Sequence, residues 1–433
     1  MKNYTKTRRR VLQGITAAGL SIGALGSGSA SSGTTYVVTG GSSGRLEDAG
    51  FAVTRELAGG SVSIVTGPAD AEGDLESVSG VSGVTENFEV DFADPVESAE
   101  PQTTDDAAFT DLQWDKEITD TFEAHDYATG EGSRIVVADT GVDGTHPDLE
   151  GNFNEELSVS VVEGGQISEH EGDTGTHGTH VAGIAAASGA EGVTGTAPDA
   201  EIVSVRVLGP NSSSFADILV GAEYAAEIGA DVANYSLGAT PQPAEANSEG
   251  LRVAVQQVMQ SVARRGTLST TAAGNDVVNL QQGQSPWEIT DEDGEVVDVI
   301  YDNWHYLPGT VQGAMTVSAS GPGDNLSFYS NYGTNAIEVG APGGARSTLE
   351  ETTIPDDLVY STVPNGGYGW KAGTSMAAPQ VAGLVGLVRE LEPDMNADQV
   401  ENEIAHGAEL AEGRSSSEFG AGRINALNTV QRL

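Results

Sequence analysis

Residues 111–433 constrain the fold most, because short valine-rich strand patterns alternate there with alanine-rich helical patterns. Parallel strands need long crossover connections, which helices usually supply. The alternation therefore predicts an α/β domain of three layers, in which a mostly parallel sheet is covered by helices on both faces. The predicted strands are 134–139, 202–208, 232–236, 267–273, 314–319 and 337–340, and the predicted helices are 177–187, 215–229, 246–265, 375–391 and 397–404.

A different pattern precedes this domain. Residues 31–95 hold strand and helix patterns in the order β-α-β-β-α-β, ending in a strand predicted at 84–92, which indicates a small ferredoxin-like α+β unit. Residues 96–110 are rich in Pro, Glu, Asp and Thr and are predicted to form a linker. Within the larger domain, residues 277–304 interrupt the alternation and are predicted to be a surface insertion.

The first 30 residues have the composition of an export signal. Lysines and arginines crowd residues 1–10, an apolar run follows over 11–25, and small residues lead to Ala30. The arginines within 7–12 match a twin-arginine signal, which predicts a secreted, extracellular protein. An ordinary Sec signal with extra arginines and a membrane anchor are the alternatives. The apolar run is too short to span a bilayer, which disfavours the anchor.

The composition limits which partners the protein can have. The chain has 64 acidic and 19 basic residues, a formal net charge of −45, and the acidic residues are scattered rather than collected in one tail. Such a surface repels nucleic acid and anionic membranes, so neither is expected as a partner. The chain has no cysteine, which excludes disulfides, thiolate metal sites and a cysteine nucleophile.

Two of the predicted element ends carry acid–base side chains. Asp139 ends a predicted strand and His177 begins a predicted helix. A carboxylate fixed in this way could orient an imidazole and stabilise its charged form. Asp139 could also simply form a turn, and His177 could bind zinc together with His170 and His180. Helical zinc sites favour histidines at i and i+4, whereas His177 and His180 are three apart, so His180 fits a packed structural histidine better.

Two further segments carry groups suited to acyl transfer. Asn275 follows a predicted strand, where its amide could stabilise an oxyanion. Ser375 begins a predicted helix, at the positive end of the helix dipole. Taken singly, Asn275 equally fits a turn and Ser375 an N-cap. Taken together, the four segments end strands or begin helices, and sites in open parallel sheets form at the carboxyl ends of the strands.

The order Asp139, His177, Ser375 along the chain is the order found in subtilisin and differs from that in chymotrypsin and the α/β-hydrolases. The segments Asp-Thr-Gly at 139–141, His-Gly-Thr-His-Val-Ala-Gly at 177–183 and Gly-Thr-Ser-Met-Ala-Ala-Pro at 373–379 resemble the three signature segments of the subtilisin-like serine peptidases. The resemblance covers most of residues 114–433, and the acid-rich, lysine-poor composition is similar to that of the halolysins of halophilic archaea. It implies a subtilisin-like three-layer domain and a secreted serine endopeptidase.

The resemblance also assigns roles to residues. Ser375 is expected to be the nucleophile, His177 the general base and then acid, and Asp139 the group that orients His177. Asn275, with the backbone N–H of Ser375, is expected to form the oxyanion hole. The strand that pairs with an extended peptide substrate is represented by Ser236, Leu237 and Gly238.

Partners and cofactors follow from the same resemblance. The expected substrates are proteins and peptides, and residues 31–95 are expected to be a propeptide that assists folding, inhibits the enzyme and is removed by self-cleavage in the linker. A monomer is expected, with no cofactor for catalysis. Asp148 matches one ligand of the family's calcium site, but the loop at 188–191 has no asparagine, so the ligand set is incomplete and no metal ligand is predicted. The insertion at 277–304 lies where the family builds the rim of its S1 pocket, which leaves the side-chain preference open.

Two other functions are consistent with a subset of these features. An inactive homologue that binds peptides should have lost a member of the triad, and this chain keeps all three together with Asn275. An ester or lipid hydrolase should have Gly-x-Ser-x-Gly at the nucleophile and the order Ser, Asp, His, and neither is present.

Overall fold

The structure is a computed structural model. It describes residues 33–88, 97–99, 109–209, 213–239, 241–243, 250–281, 287–290, 296–300, 303–345, 357–410 and 414–433. The predicted export signal at 1–30 and most of the predicted linker therefore lie outside the described residues.

The N-terminal unit is a four-stranded antiparallel sheet with two short helices on one face. The order of elements along the chain is the predicted β-α-β-β-α-β, and the strands lie in the order β2-β3-β1-β4, which is the ferredoxin-like arrangement. The last strand is shorter and earlier than the predicted 84–92. The elements are β1 (Thr34–Gly40), α1 (Ser43–Asp48), β2 (Ala52–Leu57), β3 (Val62–Gly67), α2 (Glu72–Ser77) and β4 (Val81–Glu86).

The catalytic-domain region confirms the predicted mostly parallel sheet. Its elements are β5 (Glu97–Ala99), α3 (Trp114–Ile118), α4 (Thr121–Ala124), β6 (Arg134–Asp139), β7 (Val159–Val162), β8 (Gln166–Glu169), α5 (His177–Ala186), β9 (Glu201–Arg206), α6 (Phe215–Glu227), β10 (Val232–Tyr235), β11 (Gln242–Pro243), α7 (Leu251–Arg264), β12 (Leu268–Ala272), β13 (Trp287–Thr290), β14 (Val296–Ile300), β15 (Trp304–His305), β16 (Ala314–Ser320), β17 (Val339–Pro342), β18 (Val359–Val363), β19 (Gly367–Ala372), α8 (Thr374–Leu391), α9 (Ala397–Gly407), α10 (Ser416–Phe419) and α11 (Ala426–Val430). Among the described residues the sheet has eight strands in the order β17-β16-β12-β10-β6-β9-β7-β8. Its described pairs are parallel except β7 with β8.

Side chains that alternate along β6 show why the sheet has two covered faces. Ile135 and Val137 belong to a buried cluster with residues of α5 and α8. Val136 and Ala138, which point the other way, belong to a second cluster with residues of α6 and α7. A strand buried on both faces has few polar positions, and this explains the continuous apolar pattern of the sequence.

The N-terminal unit packs against the second of these helix layers. One face of its sheet is covered by its own helices. The opposite face belongs to the same buried cluster as α6 and α7 through Val37, Leu57, Val62 and Ile64. The small sheet therefore buries its second apolar face only by contact with the larger domain.

Three features differ from the sequence-based predictions. The helix predicted at 246–265 begins at Leu251, after a left-handed Gly250. The hairpin of β18 and β19 before Ser375 was not predicted, and its strand β19 pairs antiparallel with β5, which lies in the predicted linker. The described parts of the insertion at 277–304 include β13 and β14, which form an antiparallel hairpin.

Candidate active site

Asp139 and His177 meet at the carboxyl end of the sheet. Asp139 is the last residue of β6, and His177 is the first residue of α5. Oδ1 of Asp139 lies 2.8 Å from Nδ1 of His177, and both side chains are buried. The contact selects the imidazole tautomer and orientation, because Nδ1 faces a carboxylate that is fixed on a strand.

The start of α5 is held against the end of β6 by polar contacts around Asp173. Asp173 accepts hydrogen bonds from the hydroxyl of Thr140 at 2.8 Å and from the backbone N–H and hydroxyl of Thr179 at 3.0 and 2.5 Å. The hydroxyl of Thr140 in turn accepts the backbone N–H of Gly178 at 3.0 Å. These bonds satisfy N–H groups that a helix start leaves without partners, and they fix the position of His177 relative to Asp139.

Ser375 lies in the first turn of α8, beside the segment that follows β10. Its hydroxyl donates to the backbone oxygen of Ser236 at 3.2 Å, and the hydroxyl of Ser236 donates to the backbone oxygen of Ser375 at 2.7 Å. Ser236, Leu237 and Gly238 follow directly after β10. The structure thus brings the predicted substrate-binding segment into contact with the predicted nucleophile.

Asn275 reaches the same place from β12. Its Oδ1 accepts the backbone N–H and the hydroxyl of Thr374, both at 2.9 Å. An ideal Cβ on Gly373 would lie 3.4 Å from its Nδ2. With the amide oxygen bound by Thr374, the Nδ2 donor lies next to the backbone that carries Ser375. A side-chain donor in this position can meet negative charge that develops on an atom bound to Ser375.

The β18–β19 hairpin ties α5 to the strand that leads to Ser375. The hydroxyls of Ser361 and Thr362 donate to the backbone oxygens of His180 and Thr179 at 2.8 and 2.7 Å. Nζ of Lys371 in β19 donates to the hydroxyl of Thr176 at 3.0 Å, one residue before His177. The two halves of the site, which are almost 200 residues apart in sequence, are therefore joined directly.

The three histidines that raised the zinc alternative have separate partners. Nε2 of His170 contacts the hydroxyl of Ser204 at 3.0 Å, and Nε2 of His180 contacts the backbone oxygen of Gly369 at 3.1 Å. Burial lowers the pKa of His180 well below its usual value, and the nearby Lys371 adds to this. Within the part of the chain that the structure describes, no group of three or more His, Cys, Asp and Glu side chains could hold a metal ion.

The residues around Asp148 do not fit the calcium ion that the resemblance suggests. Oδ1 of Asp148 accepts the backbone N–H groups of Glu191 and Gly192, and Oδ2 accepts the backbone N–H of Val193 and the hydroxyl of Tyr368, at 2.6 to 3.1 Å. Calcium requires a set of oxygen ligands that point at one position. Here the carboxylate is surrounded by hydrogen-bond donors, which takes up the lone pairs that a cation would need.

The sequence profile of the subtilase family matches residues 130–422, a span that contains all these groups. The chain belongs to the subtilase family. It is 31% identical over 330 residues to thermitase of Thermoactinomyces vulgaris, which covers 76% of this chain and 99% of thermitase. It is 33% identical over 299 residues to subtilisin Savinase of Lederbergia lenta, covering 69% of this chain and 90% of Savinase.

Solved structures agree on the fold of this subtilase. The epidermin leader peptide processing protease EpiP from Staphylococcus aureus superposes with a TM-score of 0.75 at 20% identity, covering 93% of this chain and 99% of EpiP. A lanthipeptide protease superposes with a TM-score of 0.61 at 27% identity, covering 75% of this chain and 95% of the other. Together with the family match, these findings establish a serine-type endopeptidase with a subtilisin-like fold. Among its described helices, none combines the length and apolar character needed to cross a membrane.

Two parts of the site were not predicted from the sequence. Asp173 was missed, although an acidic residue shortly before a predicted helix is a recognisable N-terminal signal. Lys371 and the pairing of β19 with β5 were missed as well. One signal was available for Lys371, since it is one of four lysines in the chain and lies four residues before Ser375.

Proposed function

We propose that this subtilase is a secreted endopeptidase that cuts proteins through an acyl-enzyme and matures by cutting its own linker. Ser375 acts as the nucleophile, His177 as the base and Asp139 as the group that orients His177. The observation that carries these assignments is the 2.8 Å contact of Asp139 with His177 on the same sheet edge as Ser375.

The chemistry follows from this arrangement. The hydroxyl of Ser375 attacks the peptide carbonyl carbon while His177 removes its proton. With Nδ1 facing Asp139, that proton passes through Nε2 and is later given to the leaving amine. The carbonyl oxygen becomes negatively charged and is stabilised by Nδ2 of Asn275 and the backbone N–H of Ser375. Water then hydrolyses the ester by the same sequence of proton transfers.

The N-terminal unit has the contacts expected of an inhibitory propeptide. Asn87 and Phe88, at its end, accept the backbone N–H groups of Ala216 and Phe215 at 2.9 and 3.1 Å and so cap the start of α6. The chain then reaches β5, where Glu97–Ala99 pair with Trp370–Ala372, directly before Ser375. A linker held along this edge supports both inhibition and cleavage within 96–110.

N-terminal sequencing of the protein recovered from the culture medium tests this proposal. We expect a mature chain that begins within or near 96–110. Recovery of a full-length chain that still begins before residue 31 would contradict both export with signal removal and self-cleavage. Replacing Arg8 and Arg9 together by lysine should keep the protein inside the cell if the twin-arginine route is used, whereas unchanged export would indicate the Sec route.

We also propose that the enzyme is adapted to high salt, as its charge of −45 suggests. Self-repulsion of such a surface weakens the folded state in dilute buffer. At about 1 M salt the Debye length falls to roughly 3 Å and most of the repulsion is screened. The melting temperature should therefore rise steeply between dilute buffer and molar potassium chloride, and a constant melting temperature would indicate an ordinary acidic protease.

A third proposal is that the loop at Asp148 needs no calcium. An ion that binds only the folded state raises the melting temperature by mass action, so its removal lowers it. We expect EDTA to leave the melting temperature unchanged at constant ionic strength. A decrease that added calcium reverses, and that Asp148→Asn abolishes, would show that the loop does bind the ion.

A further inference from the structure

A slot between two backbone segments opens beside Ser375. Strands β10 and β12 are parallel neighbours, with Val232 opposite Leu268 and Tyr235 opposite Thr271. Their continuations, 236–238 and 273–275, pass on either side of the nucleophile, since one binds Ser375 and the other binds Thr374. A substrate aligned along 236–238 would direct the side chain of its P1 residue, the residue whose carbonyl is attacked, into this slot.

The ring of Tyr306 occupies the slot. An ideal Cβ on Gly238 would lie 2.2 Å from Cε1 and 2.5 Å from Cζ of Tyr306. An ideal Cβ on Gly274 would lie 2.7 Å from Cε2 and 2.8 Å from Cδ2 of the same ring. The two edges of the ring therefore touch the two walls of the slot. Each wall is a glycine at the point of contact, because any larger residue there would collide with the ring.

The surroundings of Tyr306 hold its ring in this position. The backbone oxygen of the next residue, Leu307, accepts the N–H of Ala239 at 2.8 Å, which joins this segment to the wall at Gly238. The backbone N–H of Tyr306 donates to the hydroxyl of Thr310 at 3.1 Å. The ring is buried in a cluster with Ala273, Leu280, Ala336 and Ile337. Moving the ring out of the slot would expose this apolar surface to water.

We propose that Tyr306 is a specificity-determining residue that fills most of the P1 slot and restricts P1 to small side chains, namely glycine, alanine and serine. The proposal rests on the assignment of Ser375 as the nucleophile. A large P1 side chain must displace the ring or leave its own apolar surface outside the slot, and overpacking of a close-packed site is unfavourable. Alanine fits in the space that remains above the ring.

Peptide p-nitroanilides that differ only in P1, with alanine, leucine or phenylalanine, test the proposal. We expect the mature wild-type enzyme to have a kcat/KM for the alanine peptide at least about 10-fold higher than for the phenylalanine peptide. Tyr306→Ala should raise kcat/KM for the phenylalanine peptide by about 10-fold or more and reverse the preference. Tyr306→Phe should keep the wild-type preference, since the ring and not the hydroxyl fills the slot.

Three controls keep the outcomes distinct. Titration with phenylmethylsulfonyl fluoride gives the concentration of active enzyme in each preparation, and Tyr127→Ala removes an exposed ring elsewhere and should change nothing. Mass spectrometry of the fragments that wild-type enzyme produces from an unfolded protein needs no variant, and we expect cleavage after glycine, alanine and serine. Efficient cleavage after phenylalanine or leucine, or an unchanged preference in fully titrated Tyr306→Ala, would overturn the proposal. Wild-type enzyme that neither cleaves any peptide nor reacts with the sulfonyl fluoride would overturn the assignment of Ser375, and this inference with it.

Discussion

The active-site edge and the surface between the two units are built in different ways. At the edge, Asp139, His177, Asn275 and Ser375 are buried or nearly so and are fixed by hydrogen bonds of 2.7 to 3.2 Å. At the surface between the units, most of the contact is apolar, through the face of the small sheet that packs on α6 and α7. Its polar contacts include an ion pair between Arg55 and Glu227 at 3.1 Å, with side chains 27% and 46% exposed.

The difference predicts how each region responds to substitution. A hydrogen-bonded catalytic group works only at one position, so the loss of a single atom removes most of its effect. An apolar surface is approximately additive in buried area, and an exposed ion pair contributes little. We therefore expect all-or-none changes at the active-site edge and graded changes between the units.

The largest effect is expected for Ser375→Ala. Hydrolysis of a peptide p-nitroanilide should fall to background and the precursor should stay uncut, because the same hydroxyl performs both reactions. The contact between the units should be unaffected, so the uncut chain should melt cooperatively. Ser416→Ala, at an exposed serine, is the matched control and should mature normally. Normal processing of Ser375→Ala in a host that lacks other proteases would show that Ser375 is not the nucleophile.

Asn275→Ala should have the next largest effect. The amide meets charge that exists only in the transition state, so kcat should fall while KM changes little. The expected loss of about 10²–10³-fold is the magnitude known for the oxyanion-hole asparagine of subtilisin and is carried over from it. Steady-state kinetics on active-site-titrated enzyme would measure it, with Asn402→Ala at an exposed position as the control. An unchanged kcat would mean that Asn275 serves only to bind Thr374.

Ile64→Asp tests the apolar surface between the units. Ile64 is fully buried in the complete chain, and its face of the small sheet would be solvated in the separate unit. An unpaired buried carboxylate costs about 3 kcal/mol or more, so residues 31–95 made separately should inhibit the mature enzyme about 100-fold more weakly. Ala52→Asp adds the same charge at an exposed position of the neighbouring strand and should inhibit like the wild type. Equal circular dichroism spectra would establish that the variants are folded, and equal inhibition by Ile64→Asp would contradict this docking surface.

Arg55→Ala should have the smallest effect. It removes the exposed ion pair with Glu227, which contributes less than about 1 kcal/mol, so inhibition should weaken only about 2- to 5-fold. The effect should shrink further at high salt because the pair is screened. A loss as large as that of Ile64→Asp would show that charge and not apolar area dominates the surface, and would remove the distinction drawn between the two regions.

The elements that sequence periodicity predicted well are those whose pattern is local. The strand ending at Asp139 and the helix beginning at His177 have the predicted bounds to within a residue. The helix predicted from 246 begins at Leu251 instead, because Gly250 adopts a left-handed conformation that the preceding residues do not signal. The β18–β19 hairpin was missed because its strands are short and gain their stability from contacts with α5 and β5, which are distant in sequence.

The sequence by itself determined the chemistry of this subtilase. The residue types and order of Asp139, His177 and Ser375 depend on short motifs, and a motif carries its meaning within a few residues of chain. The tertiary structure decided what surrounds that chemistry. The ring of Tyr306 lies between Gly238 and Gly274, residues that are 68 and 32 positions away. Such a contact leaves no periodic pattern, because it arises only when the parallel strands β10 and β12 are paired and the chain returns to fill the space between their ends.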